Sequence, residues 1–369
     1  MTTGTRSSPS QLAGGPPGAA PDAARASTTP AACARDAADL AGASSPEREP
    51  ATVRQHLDAS FVVIAFNEER GIEACLRSIE AQVDLGAHEI VVVDDGSTDL
   101  TSVILTGLAA ELAHVRVVAL GRNRGRGAAR AAGIRAAAGP LIAMVDADVV
   151  LPCDWWRRCR QALEHCDVVS GIAVPDGDVA YLARRFGLSA KPVGHTTPTP
   201  GSNAVFGRAV FDKVAYDGEL REGEDVALDH QMAAAGVATR VLSDVTVEHR
   251  EHKSLAETLA WLFRSGIGAS RQLERYRRVR GPDRALAVLT VLGAVAGLPT
   301  RRARRARVGA FAGVLLGIAG AHVRSKFAFR REDARRYLAA VVADAGLLLA
   351  YFAGRLVGHA RLRHRRGAP

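Results

Sequence analysis

Aromatic side chains make up only 5% of this 369-residue chain, and there are five cysteines. Those cysteines (Cys33, Cys75, Cys153, Cys159 and Cys166) are odd in number and show no Cys-x-x-Cys spacing. This argues against a disulfide framework or a thiolate zinc site, and it fits a reducing compartment. No Walker A loop occurs, and no Gly-x-Gly-x-x-Gly follows the first apolar run; GRGAAR (125–130) is not that pattern. P-loop phosphate transfer and dinucleotide redox chemistry therefore lack their usual phosphate cradle. Residues 1–50 are rich in Ala, Pro, Ser and Gly, with scattered charge and no apolar core. Residues 1–55 thus read as a disordered leader rather than a signal peptide.

Positive charge, by contrast, is plentiful and unevenly placed. The net charge is +9, yet from Arg271 onward 22 Lys/Arg face 5 Asp/Glu, which leaves −8 on the first 270 residues. An acidic body with a basic tail predicts a polyanionic neighbour for the tail. The Arg clusters of the tail alternate with aliphatic stretches and lack the interleaved rings of a base-stacking surface. A membrane surface is expected there, and nucleic acid is not.

From Ser60 the chain alternates short apolar runs with helix-length amphipathic segments. Phe61–Phe66, Glu89–Asp94, Val115–Leu120, Leu141–Asp146 and Asp167–Val174 read as strands. Glu69–Gln82, Leu100–Leu112, Gly127–Ala138 and Asp154–His165 read as helices. This alternation predicts an α/β fold with a mostly parallel, Rossmann-like sheet flanked by helices and joined by right-handed crossovers. Ligands of such sheets bind beyond the carboxyl ends of the strands.

The residues at those ends are acids, amides and glycines. Asn67 and Glu68 follow the first strand. Asp94 and Asp95 end the second, in a turn whose carboxylates suit a base or ribose, or simply cap the next helix. Asp146 and Asp148 stand two apart at the end of the fourth, on one side of an extended chain. Paired carboxylates there call for a cation, and Mg²⁺ or Mn²⁺ shared with substrate phosphates meets that need. REGED (221–225) opens a helix-like segment. A carboxylate there takes a proton from an attacking hydroxyl, or merely complements the helix dipole. Gly201, Ser202 and Asn203 form a small polar turn suited to a sugar or to a hairpin. His249 ends the run VTVEH and is either structural or a further metal ligand. Asn123–Arg126 and Arg130 make a basic, glycine-containing lead-in to a helix, suited to phosphate oxygens.

The ordered series AFNEE (65–69), VVVDDGSTD (91–99), NRGRGAARAAG (123–133), MVDADV (144–149), GSNAVF (201–206) and EGEDVALDHQM (222–232) resembles family 2 of the glycosyltransferases, over about residues 60–250. The resemblance implies a GT-A fold and an inverting, single-displacement transfer from a nucleoside-diphosphate sugar. It implies that Asn67, Glu68 and Asp95 hold the nucleoside and that Asp146 and Asp148 are the Asp-x-Asp metal motif. It also implies that Asp225, beside Glu224, supplies the base. Two departures stand out. Ala65 occupies a place where the family commonly has proline. QLERY (272–276) is similar to the Gln-x-x-Arg-Trp motif of processive members, but with tyrosine for tryptophan, which makes Arg275 and Tyr276 acceptor-side candidates. A sugar-phosphate nucleotidyltransferase would instead carry a Gly-rich, Arg-containing loop where Asn67–Arg70 stands. A non-catalytic polyanion-binding protein would leave Asp146, Asp148, Glu224 and Asp225 without a task.

The expected organisation is a leader (1–55), a catalytic domain (56–253), an amphipathic helical connector (254–284) and a basic, apolar helical tail (285–369). The tail holds three apolar stretches, Ala285–Pro299, Val308–Val323 and Leu338–Gly358. As helices the first two reach only about 23 Å, short of a ~30 Å hydrocarbon core. The third contains Asp344 and Arg355. Basic clusters flank every stretch, and single crossings would put alternate clusters on opposite faces. A peripheral, re-entrant or integral tail at the cytoplasmic face of the membrane is expected, interfacial or re-entrant helices being favoured, close to a glycan or lipid-linked acceptor.

Overall fold

The computed structural model describes residues 57–174, 177–191, 201–277, 279, 283 and 301–366. The expected leader and the apolar stretch Ala285–Pro299 lie outside the described residues. In chain order the elements are β1 (Ala59–Ala65), α1 (Ile72–Glu80), β2 (His88–Asp94), α2 (Thr101–Glu111), β3 (Val115–Ala119), α3 (Arg126–Ala136), β4 (Leu141–Asp146) and β5 (Val149–Val150). They continue with α4 (Trp155–Ala162), β6 (Val168–Val174), α5 (Gly177–Phe186), β7 (Asn203–Gly207), α6 (Glu224–Ala234) and β8 (Thr239–His249). Among the described residues three long helices follow: α7 (Leu255–Tyr276), α8 (Arg301–Lys326) and α9 (Ala334–Arg366).

The strands form one sheet in the order β3-β2-β1-β4-β7-β6-β8-β5. β1 pairs in parallel with β2 and β4, and β2 with β3. β7 enters antiparallel between β4 and β6, so β6 keeps the direction of β4 but not its neighbourhood. β6 pairs in parallel with β8, and the two-residue β5 runs antiparallel to β8. The parallel-dominant sheet expected from the sequence is present, with antiparallel insertions at β7 and β5.

Central strands of this kind are covered on both faces, which is why their sequences are unbroken apolar runs. All of β1 is buried. Phe61 and Val63 pack toward Trp155 and Trp156 of α4, while Val62 faces Ile142, Met144 and the α6 residues Leu228 and Met232. This alternation is the period-two geometry of a strand between two helical layers. The register aligns Ala65 with Asp94 and Ile64 with Asp146, so the chain leaves β1, β2 and β4 at one common edge.

The helix α7 opens on a capping box, in which Ser254 and Glu257 satisfy each other's backbone amides. α9 lies against it backbone to backbone. A Cβ on Gly354 would stand 1.9 Å from the Phe263 carbonyl oxygen, and one on Gly266 would stand 2.2 Å from that of Tyr351. Only glycine permits that approach. Among the described residues, two helical segments, Val308–Lys326 (19 residues) and Arg331–His364 (34 residues), are long and apolar enough to cross a membrane. The first of these is longer than the sequence run alone implied, because the helix continues past Val323. The two charges that interrupt α9 are both paired. Asp344 lies 3.0 Å from His322, and Arg355 lies 2.7 Å from Asp283.

Candidate active site

Three groups predicted as metal ligands converge at the common strand edge. Asp146 ends β4, Asp148 follows it in the turn to β5, and His249 ends β8. Because Val149 pairs with His249 across the β5–β8 ladder, the imidazole is delivered beside the turn. The Arg250 amide donates to the Asp148 carbonyl at 2.7 Å and locks that approach. The ligand atoms of Asp146, Asp148 and His249 lie within 4.8 Å of one another, and His249 Nε2 is 3.0 Å from Asp148 Oδ1. Against the penalty of burial, the charge and hydrogen bond of His249 hold the Asp148 carboxyl well below the usual carboxylate range. Two carboxylates and one imidazole suit a hard to borderline divalent cation.

These side chains open onto a cavity of about 400 Å³ lined by Glu68, Asp95, Gly125, Arg126, Asp146, Asp148, Arg221, Glu222, Lys253, Trp261 and Arg264, among others. Burial, reinforced by the negative charge of Asp148, pushes the Glu68 carboxyl up to about 8. Asp95 is buried, and its two oxygens accept from the amides of Arg124 (2.7 Å) and Gly125 (2.8 Å). It thereby fixes the lead-in to α3. The first α3 amides do not face a ligand, since those of Arg126 and Gly127 donate to the carbonyls of Arg221 and Leu220. The Arg126 side chain lines the cavity instead. Burial opposes its charge, yet the nearby carboxylates of Glu222, Asp146, Glu224 and Asp148 hold it firmly protonated.

Arg130, expected on phosphate, sits one layer deeper. Its buried guanidinium donates to Asp146 at 2.9 Å and to Glu224 at 3.0 Å, and it also meets the Gly201 carbonyl. It thus ties the end of β4 to the start of α6. Glu224 is buried, its Oε2 has no hydrogen-bond partner, and burial with the adjacent Asp225 charge pushes its carboxyl up to about 7. Asp225, half-buried on the next residue of α6, does not line the cavity, whereas Glu222 does.

The remaining predicted residues support rather than line the cavity. Asn67 adopts a left-handed φ of 59°, and its Oδ1 accepts from the Thr98 amide at 2.8 Å. Asp94 accepts from the Ser97 amide and from the Ser102 hydroxyl, closing the same turn from below. Gly201, Ser202 and Asn203 are buried behind β4, with Asn203 Oδ1 accepting from the Gly171 amide at 2.7 Å. Arg275 and Tyr276 both reach Asp217, at 2.7 and 3.2 Å, and brace the segment before α6. The sequence reading did not single out Glu222, Lys253, Trp261 or Arg264. Lys253 lies only four residues beyond His249, but α7 had to be folded back over the sheet edge before Trp261 and Arg264 could face it.

The family model of glycosyl transferase family 2 matches residues 60–215. The succinoglycan biosynthesis protein ExoO of Rhizobium meliloti (strain 1021) is 30% identical over 277 residues, covering 66% of this chain and 79% of that protein. An undecaprenyl-phosphate 4-deoxy-4-formamido-L-arabinose transferase of Pseudomonas aeruginosa (strain LESB58) is 39% identical over 127 residues, 33% of this chain and 37% of its own. Among solved structures, the mannosyltransferase PcManGT from Pyrobaculum calidifontis, in complex with GDP-Man and Mn²⁺, superposes with a TM-score of 0.53 at 19% identity. That superposition covers 88% of this chain and 93% of the other. On this extent of similarity in sequence and fold, the chain belongs to glycosyl transferase family 2 and is a glycosyltransferase of the GT-A type.

Proposed function

We propose that this enzyme moves a sugar from a nucleoside-diphosphate donor to a lipid-linked or membrane-proximal glycan acceptor, by a single inverting displacement. The observation that carries this reading is the meeting of Asp146 and Asp148, which line the cavity, with His249 from a segment about 100 residues further along the chain. Those three residues would hold Mg²⁺ or Mn²⁺, which when bound neutralises charge on the departing diphosphate. Arg126 adds a fixed positive charge in the same space. Glu68 and Asp95 receive the nucleoside at the β1–β2 edge, while Asn67 and Asp94 hold the turn that shapes it. Arg130 acts through its neighbours, setting the positions of Asp146 and of the first residue of α6. Asp225 accepts the proton of the acceptor hydroxyl.

The acceptor class rests on two observations. The relatives' names refer to succinoglycan biosynthesis and to undecaprenyl phosphate. In addition, Leu338, Val342, Leu349 and Leu356 are exposed along α9 at spacings of four and seven, a continuous apolar stripe on one helical face. With the tail's arginines beside it, that stripe supports attachment at the cytoplasmic face of a membrane.

A second candidate for the base has a specific geometric basis. Glu222 lines the cavity, 3.1 Å from Arg264, where Asp225 does not. Steady-state transfer by Asp225→Asn and Glu222→Gln separates the two. We expect Asp225→Asn to lose roughly 10²–10⁴-fold in kcat and Glu222→Gln to lose far less. The reverse order would transfer the role to Glu222. Undiminished turnover in both would remove the role from Asp225 and from Glu222.

A further inference from the structure

We propose that Glu80, His88 and His114 form a second divalent-metal site, for a borderline transition ion such as Zn²⁺, at the end of the sheet remote from the sugar-transfer cavity. Glu80 is the last residue of α1, His88 the first of β2, and His114 directly precedes β3. The six residue steps from His88 to Asp94 of β2 span ~20 Å, so this cluster shares no ligand with Asp146, Asp148 and His249.

One ligand atom from each of the three residues lies within 4.8 Å of the other two. His114 Nδ1 is 3.3 Å from both oxygens of Glu80, and His88 Nε2 is 3.5 Å from Glu80 Oε2. Ligands bound tetrahedrally at 2.0–2.1 Å are separated by about 3.3–3.4 Å, so these spacings are close to the edges of such a site. The tautomer points the same way. His88 Nδ1 lies 3.1 Å from the Gly86 carbonyl, which can only accept, so that nitrogen carries the proton. This is the outer hydrogen bond that metal-bound imidazoles usually make, and it aims the other nitrogen at the ion. His88 Nε2, in a side chain only 7% exposed, is buried facing the Glu80 carboxylate at 3.5 Å, without a close, well-aligned hydrogen bond. A buried nitrogen of this kind normally has a partner. The His114 side chain, 49% exposed, leaves access from solvent and a fourth position for water.

Two imidazoles and one carboxylate favour Zn²⁺ over Mg²⁺ or Ca²⁺, which prefer all-oxygen shells. The ion would clasp the end of α1 to the starts of β2 and β3, and binding would add to stability because the unfolded chain has no such site.

The test uses full-length Asp148→Ala protein, stripped of metal by chelation, so that the sugar-transfer site contributes no binding. It is titrated calorimetrically with Zn²⁺ and spectroscopically with Co²⁺, beside the Asp148→Ala/His114→Ala double variant. His114 is half-exposed, so its loss leaves the core intact. The expected result is one equivalent of Zn²⁺, with tetrahedral Co²⁺ bands and a raised Tm, in the single variant. The double variant should bind at least about 100-fold more weakly, since loss of outer-shell partners alone costs 10–100-fold. Equal binding by the two variants, or no binding by the single variant, overturns the proposal.

Discussion

Glu224 shows how the site is held at the scale of single groups. Arg130 pairs with it on one side and Asp146 on the other, and removing the guanidinium would strand two carboxylates. Burial raises the Glu224 carboxyl from an ordinary 4.5 to about 7. Between those values the folded enzyme keeps a proton that the unfolded chain releases. The stability tied to this proton is therefore complete below about pH 4.5 and is lost as pH rises to about 7. Denaturant melts at pH 5 and pH 7.5 are expected to show a smaller loss of stability in Glu224→Gln than in the parent, and an equal loss would contradict the assignment. The sequence made the acids at strand ends legible because carboxylates closing apolar runs are conspicuous. It left His249 open between a structural and a ligand role. The pairing that brings it beside Asp148 is made by Val149 and Val150, and two residues are too few to show a period. The ion pairs of Arg130 were hidden for a similar reason. A basic turn before a helix announces phosphate binding, and nothing local reveals that Asp146 and Glu224 already flank the guanidinium.

Among the elements, α7 has the widest reach. Gln272 is buried, and its amide donates to the carbonyl of Gly223, the left-handed residue (φ 80°) that starts α6. Arg264 reaches Glu222, Arg271 the Glu219 carbonyl, and Arg275 with Tyr276 hold Asp217. The residues of QLERY thus grip the segment 217–223 that delivers Glu222, Glu224 and Asp225. If that grip positions the base, Gln272→Ala should lower kcat roughly tenfold and leave the donor KM within about twofold. A change confined to KM would instead mean that Gln272 acts on donor binding. Element boundaries in the β1–α4 region were readable to within a few residues, as with α1, read as Glu69–Gln82 and found as Ile72–Glu80. The helix α5 was not singled out in the sequence. β8 proved longer than the run VTVEH, since its first half sets only Val241 and Leu242 among polar, largely exposed residues and shows no alternation.

At the scale of the whole molecule, the catalytic sheet and the tail meet through α7, which packs on α9 at Gly266 and Gly354. The parallel half of the sheet could be read from buried apolar runs, but the insertion of β7 between β4 and β6 could not, because strand order is fixed by tertiary pairing. The tail's basic charge was equally plain in the sequence. Its pairing of Asp344 with His322 and of Arg355 with Asp283 was not, and those pairs remove the two charges that made α9 look unsuited to an apolar setting. The stripe Leu338, Val342, Leu349 and Leu356 predicts how the enzyme is retained. Replacing all four with serine should shift the full-length chain from the membrane fraction to the soluble fraction while leaving the α7 contacts in place. Unchanged retention would assign membrane attachment to another surface.

The central claim is that Asp146, Asp148 and His249 hold a divalent cation against a nucleoside diphosphate. It is tested most directly by the thermal shift of the enzyme with UDP, GDP, ADP, CDP or TDP, each with and without Mn²⁺, compared with Asp148→Ala. The account predicts that at least one nucleotide raises Tm in the parent only when Mn²⁺ is present, and that Asp148→Ala loses this response. A nucleotide shift indifferent to Mn²⁺, the same shift in Asp148→Ala, or no response to any of the five would contradict it.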